Sequence, residues 1–153
     1  MLENAAVHLT VIAATILAVM ACVLLQYEAL VFVWRHLGRR SVQRRAKVLY
    51  AILSVILVHT MEILIFGATI WTLLRWPETG ELYGPEYADF FECVYLSAVT
   101  FSTVGFGDIA PVGPIRFISA TEALCGFVLI TWSASFTYLE MEKFWRAEDG
   151  APR

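Results

Sequence analysis

The chain has 153 residues and a mass of 17.2 kDa; 59% of it is drawn from Ala, Val, Ile, Leu, Met, Phe, Trp, Tyr and Cys, 16% is charged, and the formal net charge is -3. A usual domain is about 45–50% apolar and about 25% charged, so there is too little charge here to cover an aqueous surface, and a soluble globular protein is excluded. A mean hydropathy of +0.67 and nearly balanced charge likewise exclude a disordered chain and a basic nucleic-acid-binding domain.

Residues 5–34 form the first apolar run, interrupted by a single acid, Glu28. At ~1.5 Å per residue a helix over this run is about 45 Å long, against a hydrocarbon core of about 30 Å, so it spans with length to spare. A cleaved signal peptide carries positive charge ahead of its apolar run and a small-residue site behind it. Here Glu3 precedes the run, and Arg35, Arg39, Arg40, Arg44, Arg45 and Lys47 follow it. The expectation is a retained helix with its N-terminus outside, followed by a basic cytoplasmic loop over 35–47. This first helix lacks the regularly spaced arginines of a voltage sensor and is expected to pack peripherally, without gating charge.

A second span is expected over roughly 48–74, returning outward to Trp71 and Trp76 as interfacial anchors. Residues 77–88, PETGELYGPEYA, are acidic and punctuated by Pro and Gly, which predicts an external loop. Residues 89–101, DFFECVYLSAVTF, are apolar, yet as a helix they reach only about 20 Å, enough to enter a bilayer halfway. Asp89 and Glu92 stand at N-cap and N3 spacing, so this helix should start at Asp89. The last span is expected over about 114–139, with a short cytoplasmic tail at 141–153 that carries Lys143 and Arg146 and is too short for a ligand-binding domain. The basic residues of 35–47 and of the tail outnumber Arg75 and Arg116 on the other side, which supports the orientation. Cys22, Cys93 and Cys125 are odd in number and widely spaced, so they read as small apolar residues of packed helices and predict neither a disulfide framework nor a CxxC site.

The half-span runs directly into Thr100-Phe101-Ser102-Thr103-Val104-Gly105-Phe106-Gly107-Asp108. Irregular backbone cannot face lipid, so this loop must be buried in protein or line a water-filled path. Glycines at alternate positions let successive carbonyls aim at one axis, and rings of carbonyls can replace the water shell of a cation. At this point the sequence resembles the potassium channel family, whose TVGYG signature appears as TVGFGD with Phe106 in place of Tyr. The resemblance covers about 48–140. It implies an all-α integral membrane protein with three transmembrane helices, a re-entrant pore helix and a selectivity filter, assembled as a homotetramer. The organisation that follows is an N-terminal helix and basic loop at 1–47, a pore module at 48–140 and the tail at 141–153, in a prokaryotic inner membrane.

By the same resemblance, the carbonyls of Thr103, Val104, Gly105 and Phe106, with the Thr103 hydroxyl, form stacked K+ sites, and Gly107 completes the filter. The C-terminal end of the pore helix, near Phe101, aims its negative dipole end at a central cavity. Gly126 matches the family's hinge glycine, and Ile130, Ala134 and Tyr138 follow it on the pore-lining face by helical spacing. For Gly126 a close helix crossing of the small-residue type is an equal reading. Two departures carry consequences. Phe106 lacks the usual hydroxyl, and Leu96 sits where many members have a tryptophan, so packing must replace that polar cuff. Val99 stands where some bacterial members carry a glutamate paired with the filter aspartate. Tyr95 is therefore expected to hydrogen-bond Asp108, with Thr100 as further filter support.

Three intramembrane polar residues remain. His59 and Glu62 share one helix face and are expected to satisfy each other, with a metal site or a proton-sensing role as alternatives. Counting from Trp76 and Arg116 places Glu62 about 21 Å and Glu122 about 9 Å below the outer interface, so the two acids should serve separate sites, with Ser97 or Thr100 bonding Glu122. The functions in play are a potassium-selective channel, a less selective cation channel of the same architecture, and a membrane metalloprotein built on His59, Glu62 and Glu122. The absence of any P-loop, HExxH, GxSxG or dinucleotide fingerprint argues against an enzyme. The partners expected are K+ as the transported ion, membrane lipid and further copies of the chain, with no nucleic acid and no cofactor.

Overall fold

Long uninterrupted apolar sequence makes helices here, and three of them dominate the chain. The computed structural model describes residues 2–39, 44–76, 78–84 and 87–149. Helix α1 covers Leu2–Arg39, α2 covers Arg44–Leu73, the short α3 covers Phe90–Phe101 and α4 covers Arg116–Asp149, with strands β1 at Glu81–Tyr83 and β2 at Ala110–Val112. Ala5–His36, Ala46–Leu73 and Arg116–Glu142 are each long and apolar enough to cross a membrane, so the protein is an integral, multi-pass membrane protein.

The helices overrun the spans at the charged ends. Residues 35–39 of the expected basic loop belong to α1 and residues 44–47 to α2, and the part of that expectation at 40–43 lies outside the described residues. Helix α4 likewise continues to Asp149 through much of the expected tail. Arg, Lys, Gln, Glu and Ala are strong helix formers, so leaving the membrane gives these helices no reason to stop.

Helix α3 begins where its cap predicts. Asp89 is extended at φ -80 and ψ 179, and its side chain accepts a hydrogen bond from the Glu92 amide at 2.9 Å. Cys93, Leu96, Ser97, Val99 and Phe101 are its buried residues, and Cys93, Leu96 and Phe101 share one core with Phe66 and Ile70 of α2 and Ile118, Cys125 and Leu129 of α4. The approach of α2 is close: a Cβ at Gly67 would lie 2.9 Å from the Val94 Cα. Small residues permit such backbone proximity between membrane helices.

The segment expected as an external loop contains a structure of its own. β1 pairs with β2 in antiparallel register, Glu81 with Val112, Leu82 with Pro111 and Tyr83 with Ala110. Buried Thr79 anchors this hairpin, because its hydroxyl lies within hydrogen-bond reach of the Leu73 and Trp76 carbonyls, at 2.5 and 3.0 Å, while its own carbonyl accepts from the Ile115 amide at 2.9 Å. The end of α2 is thereby tied to the start of α4. Helix α1 packs against both α2 and α4, with Val11, Ala18 and Cys22 in the shared core.

Candidate functional site: the Thr100–Asp108 loop and its supports

Beyond α3 the backbone alternates. Thr103, Gly105 and Gly107 have φ of 59, 53 and 80, while the intervening Val104 and Phe106 keep negative φ. A left-handed conformation at a β-branched residue such as Thr103 costs roughly 1–2 kcal/mol and marks a position held by its surroundings. Two amides do the holding: Thr103 N–H donates to the Thr100 carbonyl at 2.9 Å, and Gly105 N–H donates to the Val99 carbonyl at 3.0 Å. Alternating hand turns successive peptide units the same way, so the carbonyls of this run can share one side. Residues 102–108 are exposed in the single chain, and among the described residues no hydrogen-bond donor reaches a carbonyl of Thr103 through Gly107.

Asp108 closes the loop. The Tyr95 hydroxyl donates to Asp108 Oδ2 at 2.8 Å, the contact anticipated once Val99 occupies the neighbouring turn. This hydrogen bond to a carboxylate holds the Tyr95 hydroxyl above the usual tyrosine range. The end of β1 backs the same residue, since a Cβ at Gly84 would clash with the Asp108 carbonyl oxygen. Phe106 and Leu96 do not meet within one chain: Leu96 is buried, whereas Phe106 is 71% exposed. The packing expected to replace the polar cuff is therefore not supplied by Leu96 of the same chain.

Gly126 touches the end of α3. A Cβ there would clash with the Phe101 carbonyl oxygen and lie 2.8 Å from its carbonyl carbon and 2.9 Å from its Cα. Helix α4 runs unbroken through this position. The close-crossing reading of Gly126 thus has a named partner. One turn earlier, Glu122 is fully buried and hydrogen-bonds Ser97, whose hydroxyl also lies 2.8 Å from the Ile63 carbonyl. Side chain and backbone of α2, α3 and α4 meet at that one hydroxyl.

Through Ser97, Glu122 is joined to the carbonyl of Ile63, the residue that follows Glu62. The hydrogen-bond partners are nonetheless distinct: Glu62 Oε2 lies 2.7 Å from His59 Nδ1, and the His59 ring packs on Phe101 at 5.7 Å between centroids. Among the described residues no three His, Cys, Asp or Glu side chains converge in a metal-binding group.

Ile130, Ala134 and Tyr138 are all exposed, on a face of α4 different from the buried Glu122, Leu129 and Ser133. Sequence reasoning passed over Gln26, which is fully buried and donates to Ser133 Oγ at 2.5 Å and to the Leu129 carbonyl at 3.4 Å. An amide side chain in the middle of an apolar membrane run was the signal available for it.

Known proteins agree with this geometry at the level of family. The chain is similar to the Protein LctB sequences of Bacillus caldotenax and Geobacillus stearothermophilus, at 42% and 45% identity over 38 residues. Each match spans 25% of this chain and 28% of the relative's length. No solved structure matches. Residues 46–142, from the first turn of α2 into α4, match the family model described as "Ion channel". Since that segment holds α2, the half-length α3, the alternating loop and α4, and makes up more than half of the sequence, the chain belongs to the ion channel family.

Proposed function

We propose that this protein is a potassium-selective channel in which four copies each contribute one Thr103–Gly107 segment to a shared filter. The observation that carries the reading is the alternation of hand at Thr103, Gly105 and Gly107 beside a row of carbonyls without donors. Once four copies close around them these carbonyls are buried and require partners, and dehydrated cations on a four-fold axis supply them. The carbonyls of Thr103, Val104, Gly105 and Phe106 and the Thr103 hydroxyl line the path. Gly107 turns the chain toward Asp108, while Tyr95 and the α3 end near Thr100 brace the loop.

In this arrangement Phe101 ends α3 with its negative dipole end facing a central cavity, and Ile130, Ala134 and Tyr138 line the path beyond it. A hinge motion at Gly126 would carry the end of α3 with it, because the two backbones touch. The N-terminus lies outside the cell membrane and the C-terminus in the cytoplasm, the orientation favoured by the basic residues Arg35, Arg39, Arg40, Arg44, Arg45 and Lys47 around the α1–α2 turnaround. Potassium is the transported ion, and lipid and the other copies are the partners.

A less selective cation channel is the second reading, favoured by the missing hydroxyl at Phe106 and its exposure in the single chain. Reconstitution into liposomes tests both. Potassium uptake without matching sodium uptake, from an assembly with the mass of four chains, is the expected result. Equal uptake of both ions supports the second reading, and no cation uptake from correctly inserted protein refutes both.

A further inference from the structure

The C-terminal end of α2, strand β1 and the start of α3 enclose a cleft of 570 Å³ that the proposed ion path does not use. Trp71 belongs to the span that ends at Leu73, whereas Arg75 lies beyond it, so the cleft straddles the membrane surface. Its lining is divided accordingly. Trp71, Leu74 and Phe90 give it an apolar part, while Arg75, Glu81 and Asp89 give it a charged part. An occupant matched to both parts is an amphiphile.

The charged groups define the headgroup. The Arg75 guanidinium carbon lies 3.4 Å from the centroid of the Trp71 ring. Phe90 meets the same ring edge-on at 5.7 Å, so the indole is fixed from a second direction. Among the described residues Arg75 has no ion-pair partner. A stacked guanidinium keeps its N–H edges free, and that planar fork suits a phosphate. Glu81 is exposed and has no side-chain hydrogen bond among the described residues, and Asp89 spends only Oδ1 on the Glu92 amide. The cleft therefore offers one cation and two carboxylates, the complement of a phosphate joined to an ammonium group.

We propose that this cleft binds a phospholipid whose headgroup carries a primary ammonium, as in phosphatidylethanolamine. The phosphate pairs with Arg75, the ammonium donates to Glu81 and Asp89, and the acyl chains run along Trp71 and Leu74. A choline headgroup has no N–H to donate and is recognised on open aromatic faces; here the Trp71 face is already covered by Arg75. An anionic glycerol headgroup satisfies Arg75 but leaves its negative charge beside two carboxylates.

The full-length protein is purified in mild detergent with an equimolar mixture of phosphatidylethanolamine, phosphatidylcholine and phosphatidylglycerol of identical chains, and retained lipid is counted by native mass spectrometry. Losing charge-assisted hydrogen bonds at the ammonium should lower retention of phosphatidylcholine about tenfold relative to phosphatidylethanolamine. With helicity checked as unchanged, Arg75→Gln should lower retention of all three lipids, whereas Glu81→Gln should abolish the preference for ethanolamine over choline. Equal retention of the ethanolamine and choline lipids overturns the proposal. So does a preference for phosphatidylglycerol, an ethanolamine preference that survives Glu81→Gln, or lipid retention unchanged in Arg75→Gln.

Discussion

Gly126→Ala is the substitution on which the packing of α4 against α3 turns. Alanine is favoured over glycine inside a helix by about 1 kcal/mol, so an isolated α4 would gain from the change. In the folded chain the new methyl would clash with the Phe101 carbonyl oxygen and crowd its carbonyl carbon at 2.8 Å. A backbone carbonyl cannot turn aside as a side chain can, which places the overpacking cost at the upper end of the usual range, about 3 kcal/mol. The expected net effect is a loss of about 2 kcal/mol, read by equilibrium unfolding in mixed micelles. Phe101 lies just before Thr103, so the displaced α3 end should also disturb the loop and lower cation flux. A variant as stable as the parent or more so, with altered opening alone, would refute the crossing argument and leave the hinge in its place.

Gly105→Ala and Gly107→Ala should insert and fold normally, because a Cβ at either position meets no atom within 4 Å in the chain, yet each forces alanine into φ of 53 or 80, at about 1–2 kcal/mol, and should abolish potassium flux in liposomes. Tyr95→Phe should shorten single-channel openings by freeing Asp108. Open times and selectivity that stay as in the parent would show that another group holds Asp108. Topology is read by impermeant thiol labelling of Ala46→Cys and Tyr87→Cys, which should react from opposite sides against a background of buried native cysteines. Gly80 is unsuited to such labelling, since a Cβ there would collide with the Val112 carbonyl.

What the sequence disclosed and what it hid follow one physical division. The spans, the α3 cap at Asp89 and the TVGFGD loop depend on local composition or on spacings within a few residues, and these were legible. So was the Tyr95–Asp108 contact, because both residues belong to one helix-loop unit. The β1–β2 hairpin was hidden, since its two short strands are separated in sequence by all of α3 and neither has a pattern long enough to register. The Phe101 partner of Gly126 and the Gln26–Ser133 bond were hidden for a related reason: glycine and glutamine in a membrane helix announce a neighbour without naming it.

The Ser97 junction gives the last prediction. A serine hydroxyl has a single hydrogen, and here it has two acceptors within reach, the Ile63 carbonyl and the Glu122 carboxyl. A carboxylate competes with the carbonyl for that hydrogen. A protonated carboxyl brings its own, so it donates to Ser97 while Ser97 donates to Ile63, and all three helices are tied at once. Moving one proton therefore changes how many bonds brace α3 behind the Thr103–Gly107 loop. The other titratable groups within electrostatic reach are Cys22 and Cys125, which feel both Glu62 and Glu122, and His59, which pairs with Glu62. Glutamine carries N–H donors at every pH, so Glu122→Gln should fix the braced state without the titration. Open probability is measured from about pH 5 to about pH 9 in the parent, in Glu122→Gln and in Glu62→Gln. The expected result is a pH dependence that Glu122→Gln removes and Glu62→Gln retains. A parent that does not respond to pH, or a Glu122→Gln channel that responds as the parent does, would show that the proton at this junction has no hold on the loop.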